Sequence, residues 1–501
     1  MKSTILSLLL AGLAAAPSAA AQEACVPLPA GTPAPAQLLA TARARLGTDL
    51  PADSVLHYRA ATATLMDYQS DRTYPPFFSA MDQGEAWYDP ASGVERSSGS
   101  QVYPGTGPAA LPAILSSPTA SFAARDTMIV PATWQHGGVQ ALRPLNPWAV
   151  LREWSAAADV RAAGLCTVRD FPRVALVRQG PWGEQRLFVD PRTGYPVALA
   201  QTEPHYLWGQ VRVEYVWSNW KPVGRGAFPT TAFRVVDGAV EISRTMGEIE
   251  LAARAAAPGL TVPAQPDRMP LAHWTEVGAG MPMDTVRVGR DAFLLASRAY
   301  TEGAVLAGDT VYVLDATLGE RRAREDAAWL EKLFPSNHPV AVVVTDLAWP
   351  HVAGVRWWVA NGATIVSHRT SEAFLRRVVD RPWTLAPDLL EQRRASSPLR
   401  FMAVEDSASL GGGRLRLYAI NGVGSEGALM AWLPEAGFLW AGDYVQTLRE
   451  PSSYAQEVMA AARRAGIRPE RVAAQHLPLT PWAQVEAANP GASAAVAVGA
   501  P

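Results

Sequence analysis

Cysteine is scarce in this sequence: the 501 residues hold only Cys25 and Cys166. Neither lies in the C-terminal half, so neither supplies a thiolate to a metal site there. In an oxidising compartment the two could bridge, closing a very long loop, or stay unpaired; nothing in the sequence brings them side by side. An excess of one charge is missing as well. Lys and Arg number 44 and Asp and Glu 46, a formal net charge of −2, and both signs are spread along the chain. That balance argues against nucleic acid or an anionic membrane as the main partner. Past the first residues there is no run of about 18 apolar residues, so no transmembrane segment is expected.

What is present suits a globular protein, with 49% hydrophobic and 18% charged residues. The length exceeds what one core usually holds, so two domains behind a leader are expected. Lys2, the apolar stretch Ile5 to Leu13 and Ala19-Ala20-Ala21 read as a cleavable signal peptide over 1–21, with the mature chain starting at Gln22. The protein is therefore expected to be periplasmic or secreted. A Pro-rich lead-in covers 22–38, and Leu38 to Leu46 has the pattern of a short helix.

Residues 39–255 read as an antiparallel β-rich domain. Val211 to Trp217 alternates apolar and polar residues, as a half-buried strand does. Asp190-Pro-Arg-Thr-Gly194 and Asp237-Gly238 are turn sequences between strand-like runs, which makes two hairpins. The succession VDPRTGYPV, WSNWKPVGRGAFPTTAFRV and GAVEISRTMGEIEL resembles the later strands of lipoprotein-carrier half-barrels. That resemblance implies a concave face holding an apolar ligand, beside the alternative of a scaffold domain with a packed interior. Prolines 258, 263, 266 and 270 mark a linker over 256–274. Beyond it, strands and helices alternate over 275–485, as in a layered α/β domain. Residues 486–501 read as a flexible tail.

Four ordered segments of this C-terminal region carry a second resemblance. They are VYVLDA, ending at Asp315 and Ala316; VVVTDLAWPHVAGVRWWVANGATIVSH over 342–368; NGVGSEGALMAWLPEAGFLWAGD over 421–443; and RVAAQHLPLTPW over 471–482. Together they resemble the metallo-β-lactamase superfamily. The resemblance implies an α/β fold, an αββα sandwich, preceded here by the mostly antiparallel β domain. It also implies a cleft in which two zinc ions share a bridging hydroxide.

Here the ligand pattern is degenerate. Thr345 and Gly354 keep the frame of the T-H-x-H-x-D-H-x-x-G motif, but Asp346, Ala348 and Pro350 stand at three ligand positions and only His351 matches. Ser425 stands where the third segment has its histidine, while Asp443 and His476 are in place. A two-metal site is not expected. His351, Asp443 and His476, with Asp346 as a fourth group, could hold one zinc or iron ion. Otherwise these residues are remnants, and no metal binds. Trp349 and Ser425 are expected to line the cleft. A triad built on Ser425 lacks the strained turn that exposes such a nucleophile. Two functions follow: a non-catalytic protein binding a small-molecule or apolar ligand or a partner, or a mononuclear hydrolase of an ester, thioester, lactam or phosphoester.

Overall fold

The computed structural model describes residues 25–69, 77, 79–103, 108–125, 128–132, 136–263, 282–297 and 300–490. The expected signal peptide, most of the expected linker and the last part of the expected tail lie outside the described residues.

The N-terminal region is built on one 14-stranded sheet, antiparallel throughout. Two meanders compose it. One runs from Arg161–Val168 to Ala239–Ala253, the other from Ser54–Thr64 to Met128–Pro131. Their seam is the pairing of Ser54–Thr64 with Ala239–Ala253. Both hairpins read from turn sequences form, Gly183–Val189 with Pro196–His205 and Gly226–Val236 with Ala239–Ala253. At one edge Cys25–Val26 pairs with Arg161–Val168, so that Cys25 and Cys166 face each other and form a disulfide.

Helices Pro35–Leu46 and Pro147–Ala156 cover part of the sheet's inner face. Leu38, Leu39, Ala42 and Leu46 recur at helical spacing and are buried, so one side of the first helix is apolar and faces the sheet. Asn146 caps the second, its side chain accepting from Trp148 N. Trp148 and Leu151 pack with Tyr58, Tyr215 and Phe228 of the sheet.

The C-terminal region holds two mixed sheets. The first has seven strands, from Met283–Gly289 to Arg400–Val404; its last four, Thr310–Leu314, Val340–Val344, Thr364–His368 and Arg400–Val404, are parallel. These parallel strands are covered on both faces, hence the unbroken apolar runs of Thr310–Leu314 and Val340–Val344. The second sheet has six strands, from Ser407–Leu410 to Thr480–Pro481. Leu294, Leu314 and Val343 of the first sheet meet Leu417, Phe438 and Trp440 of the second in one buried layer. Outside the first sheet lie helices Glu320–Leu333, Val355–Ala360 and Glu372–Asp380; outside the second lie Ser453–Arg464 and Trp482–Ala488. The result is an αββα sandwich.

After Val340–Val344 come two short helices, Trp349–Val352 and Val355–Ala360. The break falls at Gly354, whose N–H donates to Ala316 O at 2.9 Å. A Cβ there would stand 3.0 Å from that same oxygen. The close approach ties the loop after Thr310–Leu314 to the loop after Val340–Val344.

The two regions are joined by more than chain. Arg381 donates to Trp208 O at 2.8 Å and to Gln210 O at 2.6 Å, and Arg377 stacks on the Trp208 ring at 4.0 Å. Trp349 N donates to Tyr68 O at 2.6 Å.

Candidate metal centre

The site forms where strands of both sheets end. Asp315 follows Thr310–Leu314, Asp346 follows Val340–Val344, Asp443 follows Phe438–Trp440, and His476 follows Arg471–Ala473. In α/β sheets such carboxyl ends are where a cleft opens.

Asp315 fastens three of those ends. Fully buried, it accepts from Thr345 N at 2.8 Å, Thr345 Oγ1 at 2.7 Å and Trp440 Nε1 at 3.0 Å. Burial, with Asp346 nearby, pushes its carboxyl up to about 6. Gly442 then lets the chain turn beneath Thr345: its φ is 58°, and a Cβ would stand 2.6 Å from Thr345 Oγ1. Asp443 is the next residue. Gln475 N donates to Gly442 O at 2.9 Å, and Ala474 and Leu477 close a tight turn that presents His476.

Among the described residues, His351, Asp443 and His476 each offer a ligand atom, all within 4.8 Å of one another. Nε2 of His351 lies 3.9 Å and Nε2 of His476 3.4 Å from Asp443 Oδ1. Ligands around a tetrahedral zinc, each about 2.0–2.1 Å from the metal, stand about 3.3 Å apart, so small rotations bring the three onto one ion. His351 Nε2 and Asp443 Oδ1 are buried and have no hydrogen-bond partner. Such orphaned atoms are costly unless something pairs with them.

Electrostatics point the same way. Burial alone would drive the His351 ring towards neutrality, but Asp346 and Asp443 outweigh it and hold its pKa up at about 9. Burial raises Asp443 to about 7, with His351 opposing and Asp346 adding to the rise. The donor set is short of positive charge, and a divalent cation would supply it.

Asp346, expected as a fourth group, stands behind the cluster. Its Oδ1 accepts from His351 Nδ1 at 2.8 Å and from Ala348 N at 2.9 Å. That is the position of a carboxylate that orients a ligating imidazole. Trp349 lines the cavity in front of the site, 4.4 Å from the Tyr206 ring. Ser425 does not line it. Its hydroxyl is buried and donates to Glu457 of helix Ser453–Arg464, while Gly424 beside it faces the cavity. The expectation for Ser425 is corrected, because a carboxylate on a neighbouring helix turns the side chain away.

Sequence reasoning missed Tyr300. It sits 4.9 Å from His476 and 6.0 Å from His351, ring to ring, and burial and Asp443 keep its phenol protonated. A lone tyrosine in a hairpin turn carries no sequence signal. The site opens into a cavity of about 810 Å³ between the two regions. Gln101 and Arg178, on strands eight places apart in the N-terminal sheet, both line it, so that sheet curls around the cavity.

No family model matches the chain, and no curated protein matches it. Solved structures do. The DIM-1 metallo-β-lactamase is 15% identical, with 43% of this chain and 99% of that one covered and a TM-score of 0.34. A metallo-β-lactamase from Erythrobacter litoralis is 17% identical over 42% and 96%, at 0.33. The FIM-1 enzyme from Pseudomonas aeruginosa, in a mono-zinc form, is 15% identical over 42% and 95%, at 0.32. All three are metallo-β-lactamases.

Proposed function

We propose that the protein is a mononuclear metal-dependent hydrolase, with His351, Asp443 and His476 as ligands and its substrate held in the cavity between the two regions. The observation that carries this reading is the pair of buried ligand atoms without a hydrogen bond, His351 Nε2 and Asp443 Oδ1, with His476 Nε2 beside them. Three protein ligands leave a position open, the pattern of catalytic rather than structural sites. Zinc or iron bound there would supply Lewis acidity towards a carbonyl or phosphoryl oxygen of an ester, thioester, lactam or phosphoester.

The chain's own groups do the rest. Asp346 holds His351 by Nδ1 and so keeps Nε2 turned to the cluster. Tyr300, with its hydroxyl protonated, can donate a hydrogen bond to a substrate oxygen. Trp349 and Tyr206 form an aromatic wall of the cavity in front of the cluster. Export is part of the proposal: it rests on the leader sequence and is supported by the Cys25–Cys166 disulfide, which needs an oxidising compartment.

Ala348 and Pro350 at ligand positions favour the second reading, a non-catalytic binding protein using the same cavity. Metal analysis separates the two. Protein purified without chelator should carry one zinc or iron per chain and hydrolyse activated esters or phosphoesters, both lost in His476→Ala. Metal-free protein that stays inert after zinc or iron is added would leave the binding reading.

A further inference from the structure

The floor of the cavity in the N-terminal sheet is polar and continuous. Arg178 Nε donates to Gln185 Oε1 at 2.7 Å, Gln185 donates to Gln201, and Gln201 donates to Glu203. Arg234 then donates to Glu203 at 3.2 Å and pairs with Glu241, which accepts from the Tyr68 hydroxyl. The Tyr68 carbonyl accepts from Trp349 N, two residues from His351. The ladder thus leads to the metal centre.

Arg178 stands on Phe171–Gly180 and Glu241 on Ala239–Ala253, which are six neighbouring strands counted inclusively. Five strand spacings make a track about 24 Å long. Its own charges are paired: Arg234 meets Glu203 and Glu241, and Arg143 and Arg178 stand beside Glu153, while Asp82 lines the same cavity outside the track. Aromatic side chains flank it, Trp182 at the far end and Tyr206 and Trp349 at the metal end, while Trp154 is buried beneath the Arg178 guanidinium, 4.8 Å from its ring.

Each property excludes a ligand class. An apolar chain, the occupant implied by the half-barrel resemblance, would cover amides and charges without pairing them. An anion or cation would find Arg178, Arg234, Glu203 and Glu241 of the track already engaged with one another or with the glutamines. A peptide strand could not extend the sheet here, because the track crosses the inner face and offers no free edge. A hydroxyl is both donor and acceptor, so it can pair with any rung. A sugar ring also has an apolar face to lay on an aromatic one.

We propose that this floor binds an uncharged, polyhydroxylated chain, an oligosaccharide of about five units laid along the track with one end at the metal centre. The inference names the substrate class of the proposed function, yet the binding it describes needs no metal. The test is therefore a calorimetric titration of the full chain with cellopentaose and with N-acetylchitopentaose, with and without EDTA.

At least one pentasaccharide should bind saturably, at least about tenfold tighter than its disaccharide, and equally in EDTA. Gln201→Leu, and independently Gln185→Leu, should each weaken it about tenfold, with unchanged melting temperature as the check on folding. Failure of both pentasaccharides at millimolar concentration would overturn the inference. So would competition by palmitate or a neutral heptapeptide that binds more tightly, or unchanged affinity in both variants. Binding by protein that never retains metal would sink the hydrolase reading and leave this one standing; retained metal without sugar binding would do the reverse.

Discussion

Asp346 accepts a hydrogen bond of 2.8 Å from Nδ1 of His351, and that bond decides which nitrogen of the ring faces Asp443 and His476. Asp346 therefore acts through His351 rather than beside it. The two residues should fail differently when changed. His351→Ala, Asp443→Asn and His476→Ala should each abolish retention of the single metal. Asp346→Asn should keep the stoichiometry of one and weaken the metal about 10–100-fold. Competition with a graded chelator, read by elemental analysis, checks this. Loss of all metal in Asp346→Asn would make it a ligand, and two tightly held metals in the wild type would refute the single site.

Asp315 should matter to stability more than to metal. Its removal strands the Thr345 N–H, the Thr345 hydroxyl and the Trp440 N–H in a dry interior. Asp315→Ala is expected to cost about 3–5 kcal/mol. Asp315→Asn gains nothing from its similar shape, since an amide donor then turns towards other donors. Denaturant unfolding measures both; a loss under about 1 kcal/mol would show that water repairs the site.

The Cys25–Cys166 bridge spans 141 residues. A crosslink that long should stabilise the N-terminal sheet by about 2–5 kcal/mol. The double Cys→Ser variant should therefore melt its N-terminal region earlier while the sandwich holds. Mass spectrometry of the exported protein provides a companion check: it should begin at Gln22 and be two hydrogens lighter than the reduced chain.

Acid should reveal Asp89. Burial works against its charge, but Arg254 at 2.7 and 2.9 Å, Ser92 and the Ala91 N–H overcome this and lower its pKa to about 2. A carboxyl depressed on folding stabilises the native state above its unfolded pKa of about 3.9 and loses that contribution as pH falls through about 2. Asp89→Asn should destabilise at neutral pH by about 1–3 kcal/mol and lose less between pH 4 and pH 2 than the wild type does. Parallel denaturant curves at both pH values decide it.

Much of the sandwich is legible in the sequence because parallel strands buried on both faces stand out as apolar runs, and loops at their ends carry the chemistry. Asp443 and His476 are placed by the resemblance that the four ordered segments carry. Asp346 and Ser425 show the limit. The resemblance puts each at a ligand position, but Oδ1 of Asp346 accepts from His351, leaving Oδ2 without a hydrogen bond, and the Ser425 hydroxyl donates to Glu457. The polar floor is invisible for the same reason. Gln185 and Gln201 look like ordinary strand residues until the register sets them beside Glu203 and Arg178.

The seam between Ser54–Thr64 and Ala239–Ala253 joins residues made early to residues made late; His57 lies opposite Glu250. A nascent chain holds its first meander with one edge open until the last strand of the second emerges. During that interval the unpaired edge can recruit another copy of itself. Sheet closure is a long-range step and correspondingly slow. The concentration of unfinished chains then bears on how much of this protein reaches its native state, alongside the stability of the finished molecule.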